Sequence, residues 1–198
     1  MNFVGTATKL QDGDIDDVAQ SLGIETAVLK SVLAVETGGS GYDKANRPKA
    51  LFERHYFYRF LNSQPEKQQQ AVEAGLAYPK YGEKPYPKGS DAVYAEIQAA
   101  CNIDEEAALK SVSWGLGQIM GSNFSIVGCA SVREMVDQAM ESEKNQLQQM
   151  ANFIRKNGLA DELQNKDWAG FAKRYNGPAY QTNQYDVKLA AAYERFTA

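Results

Sequence analysis

One glutamate stands where a carboxyl would keep its proton. Residues 28–39 read Val28-Leu29-Lys30-Ser31-Val32-Leu33-Ala34-Val35-Glu36-Thr37-Gly38-Gly39, a nearly apolar helical run that ends in glycines. Leu29, Val32 and Leu33 lie seven, four and three residues before Glu36, so the carboxyl shares the face that the helix buries. Poor solvation and the negative end of the helix both favour the protonated form, with Gly38 read as the stop. A glutamic acid that holds its proton near neutral pH can protonate a leaving group. The same run also fits a last-turn residue pointing into water.

Acid-catalysed cleavage of a glycosidic bond commonly uses a second carboxylate, to activate water or to stabilise a cationic sugar. Glu53 is the candidate, in Phe52-Glu53-Arg54-His55-Tyr56-Phe57-Tyr58-Arg59-Phe60-Leu61, where it sits amid aromatics beside a guanidinium and an imidazole. An aromatic core helix with Glu53 and Arg54 facing water would read the same way, and Asp43 competes for the role. Further on, Ser113-Trp114-Gly115-Leu116-Gly117-Gln118-Ile119-Met120-Gly121 sets glycines around an amide. Glycines permit close approach of backbone to a ligand, and Gln118 can donate to and accept from sugar hydroxyls. A tight packing turn explains the glycines equally well.

The elements that would position these groups are helices. Ile15, Val18, Ala19 and Leu22 repeat at helical spacing after Asp14, with Gly23 as a stop. Ser131 and Glu134 form a capping-box pattern ahead of Val132, Met135, Val136 and Ala139. Leu147, Met150, Ala151 and Ile154 make another stripe, closed by Gly158. Asp167 is placed to cap a helix through Trp168, Phe171, Ala172 and Tyr175, which Asn176-Gly177-Pro178 ends; Tyr185, Leu189, Ala192 and Phe196 suggest a last one. These stripes read as core. Two stretches break the pattern: residues 39–51, turn-rich enough to hold a short hairpin, and residues 78–90, where Pro79, Gly82, Pro85, Pro87 and Gly89 alternate with Tyr78, Tyr81 and Tyr86. The second is either a sugar-stacking surface or an ordinary loop.

At 198 residues, with no Pro/Ser-rich or charge-run linker, the expectation is one domain over residues 1–198, with 1–13 as an N-terminal extension. A net charge of −4 argues against a partner with a phosphate backbone, so nucleic acid is not expected. The first ten residues lack a basic leader and the apolar core of about 7–15 residues that a secretory signal carries. No stretch approaches the roughly 18 apolar residues needed to span a bilayer, so no membrane insertion is expected. Cys101 and Cys129 are expected as free thiols, and one histidine, His55, without a cysteine cluster predicts no metal site.

Taken in order, Glu36 at the end of a buried helix, Ser113-Trp114-Gly115-Leu116-Gly117-Gln118-Ile119-Met120 and Arg174-Tyr175-Asn176-Gly177 resemble the motifs of the lysozyme-like superfamily, particularly goose-type lysozymes and lytic transglycosylases. More closely, Ala34-Val35-Glu36-Thr37-Gly38-Gly39-Ser40-Gly41, Arg47-Pro48-Lys49-Ala50-Leu51-Phe52-Glu53-Arg54-His55 and Arg174-Tyr175-Asn176-Gly177-Pro178 resemble the N-acetylmuramidase domain of bacteriophage endolysins, from about Asp14 to the C-terminus. The resemblance implies a mainly α, lysozyme-like α+β fold: a helical bundle around a buried catalytic helix with a small β-hairpin or loop lobe. It implies hydrolysis of the β-1,4 bond between N-acetylmuramic acid and N-acetylglucosamine in peptidoglycan glycan strands, without a cofactor. Glu36 would be the acid and Glu53 the second group, with Ser113, Gly117, Gln118, Tyr175 and Asn176 placing the sugar. The few residues before Asp14 are too short for a wall-binding module. A signal-less muramidase of this kind would act as a monomer, made in the host cytoplasm and released to the wall through a holin-type pore. A lytic transglycosylase leaving 1,6-anhydro ends, a secreted antibacterial effector and a non-catalytic wall-binding protein remain open.

Overall fold

A computed structural model describes residues 2–11, 13–36 and 39–198. Among these residues the chain folds into eleven α-helices, two short 3-10 turns and one small sheet. The helices are α1 (Asp14–Leu22), α2 (Thr26–Glu36), α3 (Arg54–Phe60), α4 (Pro65–Glu73), α5 (Ser90–Ile103), α6 (Glu105–Lys110), α7 (Val132–Glu141), α8 (Glu143–Lys156), α9 (Ala160–Gln164), α10 (Trp168–Tyr175) and α11 (Tyr185–Thr197). The strands are β1 (Ala50–Phe52), β2 (Val112–Trp114) and β3 (Ile119–Met120). No single helix among the described residues is long and apolar enough to cross a membrane.

Helix ends follow local chemistry. Gly23 takes the left-handed conformation after α1 and its N–H reaches back to the carbonyls of Ala19 and Gln20. Asp104, Ser131, Ser142 and Asp167 cap α6, α7, α8 and α10, each side chain accepting an N–H of the first turn. The expected capping box at α7 is present in modified form: Ser131 accepts from the Glu134 N–H, while Glu134 accepts from the N–H of Ala130 rather than that of Ser131. The stop expected at Gly38 lies outside the described residues.

The core has two parts. Phe52, Phe57, Leu61, Ile97, Leu109, Trp114 and Met135 fill one, under α3–α7 and the sheet. Leu29, Val32, Leu147, Met150, Ile154, Phe171 and Leu189 fill the other, where α2 packs against α1 and α11. Leu29 and Val32 are fully buried, each contributing about 2 kcal/mol of apolar burial that holds α2 in register. The last stripe is imperfect: Leu189 and Ala192 are buried, but Phe196 stays 41% exposed. Residues 2–11 are part of the packing, since Phe3 is buried with its ring 5.8 Å from that of Trp114 and 5.2 Å from that of Tyr94. Cys101 and Cys129 are both free.

The hairpin expected within residues 39–51 is not the one that forms. That segment closes on itself through a single antiparallel bridge, Tyr42 with Pro48. The strand beginning at Ala50 pairs instead with the distant β2, Leu51 facing Ser113, and the glycine-glutamine motif makes the hairpin β2–β3. Proline at 48 lacks an N–H for a continued ladder, which limits local pairing. Buried Gln146 of α8 secures this arrangement: its amide oxygen accepts from the Leu116 N–H at 2.9 Å and its amide nitrogen donates to Ala139 at 2.7 Å. Gln146→Ala strands the Leu116 N–H in the interior, and a loss of about 1–3 kcal/mol is expected from urea unfolding midpoints.

Candidate active site

A cleft of about 1180 Å³ opens where the two parts of the core meet, lined by Glu36 at the end of α2, residues 40–51, Gly115 and Gln118 of the β2–β3 turn, and Ser90 and Asp91 at the start of α5. Lys9, from the segment ahead of α1, also lines it. Each wall therefore comes from a different part of the chain.

Glu36 is only partly exposed, and burial pushes its carboxyl above the ordinary range. Opposing this, the Asn176 amide donates to Glu36 Oε1 at 2.9 Å. No cation pairs with Glu36 among the described residues. The hydroxyls of Tyr175 and Tyr185 lie close enough for the Glu36 charge to raise both further, beyond the effect of their own burial. The other amide atom of Asn176, Oδ1, is buried with no hydrogen-bond partner among the described residues. The carboxyl is thus oriented by one neutral donor while remaining easy to protonate.

Two sequence-adjacent side chains of α10 and its cap do this positioning. Tyr175 stacks on Phe171, centroids 5.1 Å apart, meets Phe153 edge-on at 5.9 Å, and donates to the carbonyl of Gly117 at 2.9 Å. Asn176 follows and reaches Glu36. The helix end and the glycine turn are therefore held to one another through the Tyr175-Asn176 corner. Within the turn Gln118 takes a positive φ of 47°, a strained conformation for a residue with a side chain, and its amide donates to the carbonyls of Gly115 at 2.9 Å and Lys49 at 3.3 Å. A Cβ added at Gly117 would lie 3.0 Å from the Met150 side chain.

The expected residues separate into two groups. Glu36 and Gln118 line the cleft and Asn176 bonds Glu36. Tyr175 and Gly117 spend their polar atoms on each other behind it, and Ser113 is buried in β2 with its hydroxyl on Met120 Sδ at 3.2 Å. Glu53, expected as the second catalytic carboxylate, does not line the cleft. Its backbone N–H is held by the Ser111 carbonyl as β1 gives way to α3, and its carboxylate accepts from the Tyr86 hydroxyl at 2.6 Å with His55 Nδ1 at 3.4 Å. Asp43 does line the cleft, but it accepts from the N–H groups of Ala45 and Arg47 and from Arg47 Nε. Despite burial, these bonds from Arg47 and Ala45 hold its carboxyl below the ordinary range, and Arg47 reaches on to Asp91 at 2.6 Å. Lys9 and Asp91 escaped the sequence reading because each meets the cleft through a long-range contact that local spacing does not show, whereas Arg47 stood in a quoted motif without a role, its partner Asp43 only four residues away.

A protein-family model described as N-acetylmuramidase matches residues 25–197. The chain belongs to the N-acetylmuramidase family. This muramidase is 32% identical over 109 residues to an endolysin of Enterobacteria phage PRD1, a match spanning 50% of the chain and 72% of the relative. Its fold superposes on the crystal structure of the Burkholderia AP3 phage endolysin with a TM-score of 0.87 and 36% identity, covering 96% of the chain and 72% of that endolysin. As a muramidase it is a glycoside hydrolase of lysozyme-like fold, as its motifs implied. Among the described residues no group of three or more His, Cys, Asp or Glu side chains is placed to hold a metal ion.

A carboxyl whose pKa is raised by folding costs no stability while protonated and costs more as pH rises through its folded value. Glu36→Gln keeps an acceptor for Asn176 without the charge. It is expected to unfold at higher temperature than the wild type at about pH 8, the difference closing by about pH 4.

Proposed function

We propose that the protein is a peptidoglycan-degrading endolysin in which Glu36 is the general acid for hydrolysis of the bond between N-acetylmuramic acid and N-acetylglucosamine. The observation that carries this reading is a partly buried carboxyl, raised in pKa, held by the neutral amide of Asn176 in the lining of the cleft. The Glu36 proton passes to the glycosidic oxygen as the C1–O bond breaks, the electron pair leaving with that oxygen. Positive charge develops at C1 and the ring oxygen. Glu36, now a carboxylate steadied by the Asn176 N–H, takes a proton from the water that adds to C1 and is thereby restored.

The second carboxylate of the sequence reading has a different place here. Glu53 supports the 78–89 segment through Tyr86, and Asp43 is committed to Arg47. We therefore assign the acid and base roles to Glu36 alone, with Gln118 offering its amide oxygen to a sugar hydroxyl because its N–H groups are spent on backbone carbonyls. Tyr175, Gly117 and Ser113 act by shaping the turn. Action as a monomer is part of this reading, and the burial of Phe3 beside Trp114 supports residues 1–198 as one unit. Its endolysin relatives support a place of action at the cell wall after release from the cytoplasm.

Mass spectrometry of muropeptides released from purified peptidoglycan tests the reading. The wild type should leave reducing N-acetylmuramic acid ends, and Glu36→Gln should lower turnover by about 10²–10⁴-fold. Products with 1,6-anhydro ends, or none, would overturn hydrolysis by this cleft. Glu53→Gln, which keeps an acceptor for Tyr86, should stay within about tenfold of the wild type in kcat. The rate should fall as pH rises through the elevated pKa of Glu36, since only the protonated acid can act.

A further inference from the structure

Residues 78–89 make up most of the irregular stretch between α4 and α5, residues 74–89, the longest among the described residues, and the cleft chemistry does not use it. Both ends of it are pinned. The Tyr78 N–H meets the Arg54 carbonyl at 3.5 Å, Arg54 Nη1 donates to the Pro85 carbonyl at 3.1 Å, and the Tyr86 hydroxyl binds Glu53 at 2.6 Å. Arg54 is itself braced by Glu96 of α5. Between the pins Tyr81 is 70% exposed, its ring edge-to-face with that of His55, centroids 5.3 Å apart. Lys80, Lys84 and Lys88 are exposed around it, with Glu83 the one acidic residue between Tyr78 and Gly89, in a chain whose net charge is −4. The Lys84 ammonium lies over the Tyr78 ring at 5.0 Å. An aromatic face held out to water amid cations is the surface that a sugar ring bearing anionic substituents would cover.

The segment runs straight into α5, whose first residues, Ser90 and Asp91, line the cleft. We propose that residues 78–89 are a distal subsite for the glycan strand: Tyr81 stacks on a sugar ring beyond the cleavage point, and the lysines receive the carboxylates of the peptide stems. The inference rests on the peptidoglycan reading of the cleft. It gives Glu53, His55 and Arg54 a task, since together they fix the platform that leads into the cleft-lining start of α5. It also places positive charge where an acidic protein must meet an anionic polymer.

The test compares Tyr81→Ala and the triple change Lys80→Gln, Lys84→Gln, Lys88→Gln with the wild type, on intact sacculi and on purified two-repeat muropeptides too short to reach past the cleft. On sacculi KM should rise about fivefold in each variant with kcat unchanged. The lysine effect should shrink in high salt. On the short substrate neither parameter should change. Equal KM on sacculi, or equal losses on both substrates, would overturn the proposal. So would wild-type cosedimentation with phosphatidylglycerol vesicles that the lysine change abolishes without altering binding to sacculi. Sacculus pull-down of the Glu36→Gln protein, with and without Tyr81→Ala, reads the subsite independently of turnover. A wild type that releases no muropeptides would then count against the muramidase reading alone.

Discussion

The hydrogen bond from Asn176 to Glu36 joins two helices distant in sequence, and it is a neutral donor that meets the acid. A lysine or arginine in the place of Asn176 would orient the carboxyl equally well and would hold it ionised, removing the proton that bond cleavage needs. The amide orients without that electrostatic cost. Its own position is set by Tyr175, whose ring is clasped by Phe153 and Phe171 and whose hydroxyl reaches the Gly117 carbonyl. One helix terminus therefore fixes both the acid and the turn that carries Gln118.

Two carboxylates that hold the neighbouring loop are treated in the opposite way. Asp43 is wrapped by Arg47 and two backbone N–H groups, and Glu143, buried in α8, accepts from Lys9, Leu10, Ser40 and Gly41. Burial acts against ionisation in both, and the hydrogen bonds outweigh it, so both are held below the ordinary carboxylate range. These ionised groups organise the loop of residues 40–49 from inside and outside the cleft. The contrast with Glu36 is one of partners: hydrogen bonds to charged and backbone donors stabilise a carboxylate, whereas a single amide in a poorly hydrated place leaves the acid form accessible.

Much of this was legible in the sequence, and what was not has a physical reason. Helix stripes and caps depend on residues three and four apart, which is why Ser131, Asp167, Gly23 and the face carrying Leu29, Val32 and Glu36 could be read directly. Glu36 was read from periodicity and motif, Gln118 and Asn176 from motif alone, and the fold brings Glu36 and Gln118 to the cleft with Asn176 bonded to Glu36. The pairing of Leu51 with Ser113 could not be, because a three-residue strand carries no record of its partner. Glu53 illustrates the limit most clearly. Its neighbours in sequence match a catalytic setting, yet the change from strand to helix beside it sends the carboxylate to Tyr86 and His55. Which way a side chain leaves such a junction is decided by tertiary packing.

The segment ahead of α1 lies outside the stretch matched by the family model, which starts at residue 25, and it is nonetheless woven into the cleft. Phe3 is buried against Trp114, Thr8 bridges Ser142, and Lys9 bonds Ser40 at 2.7 Å and Glu143 at 3.2 Å. For anyone cutting this catalytic unit out for fusion to a wall-targeting module, the start of that match is therefore the wrong place for scissors. A junction at residue 25 would discard α1, open the aromatic core beside the sheet and leave Glu143 buried without its lysine. The exposed side chains of Asn2 and Val4 mark the end at which a linker can be attached without disturbing that packing.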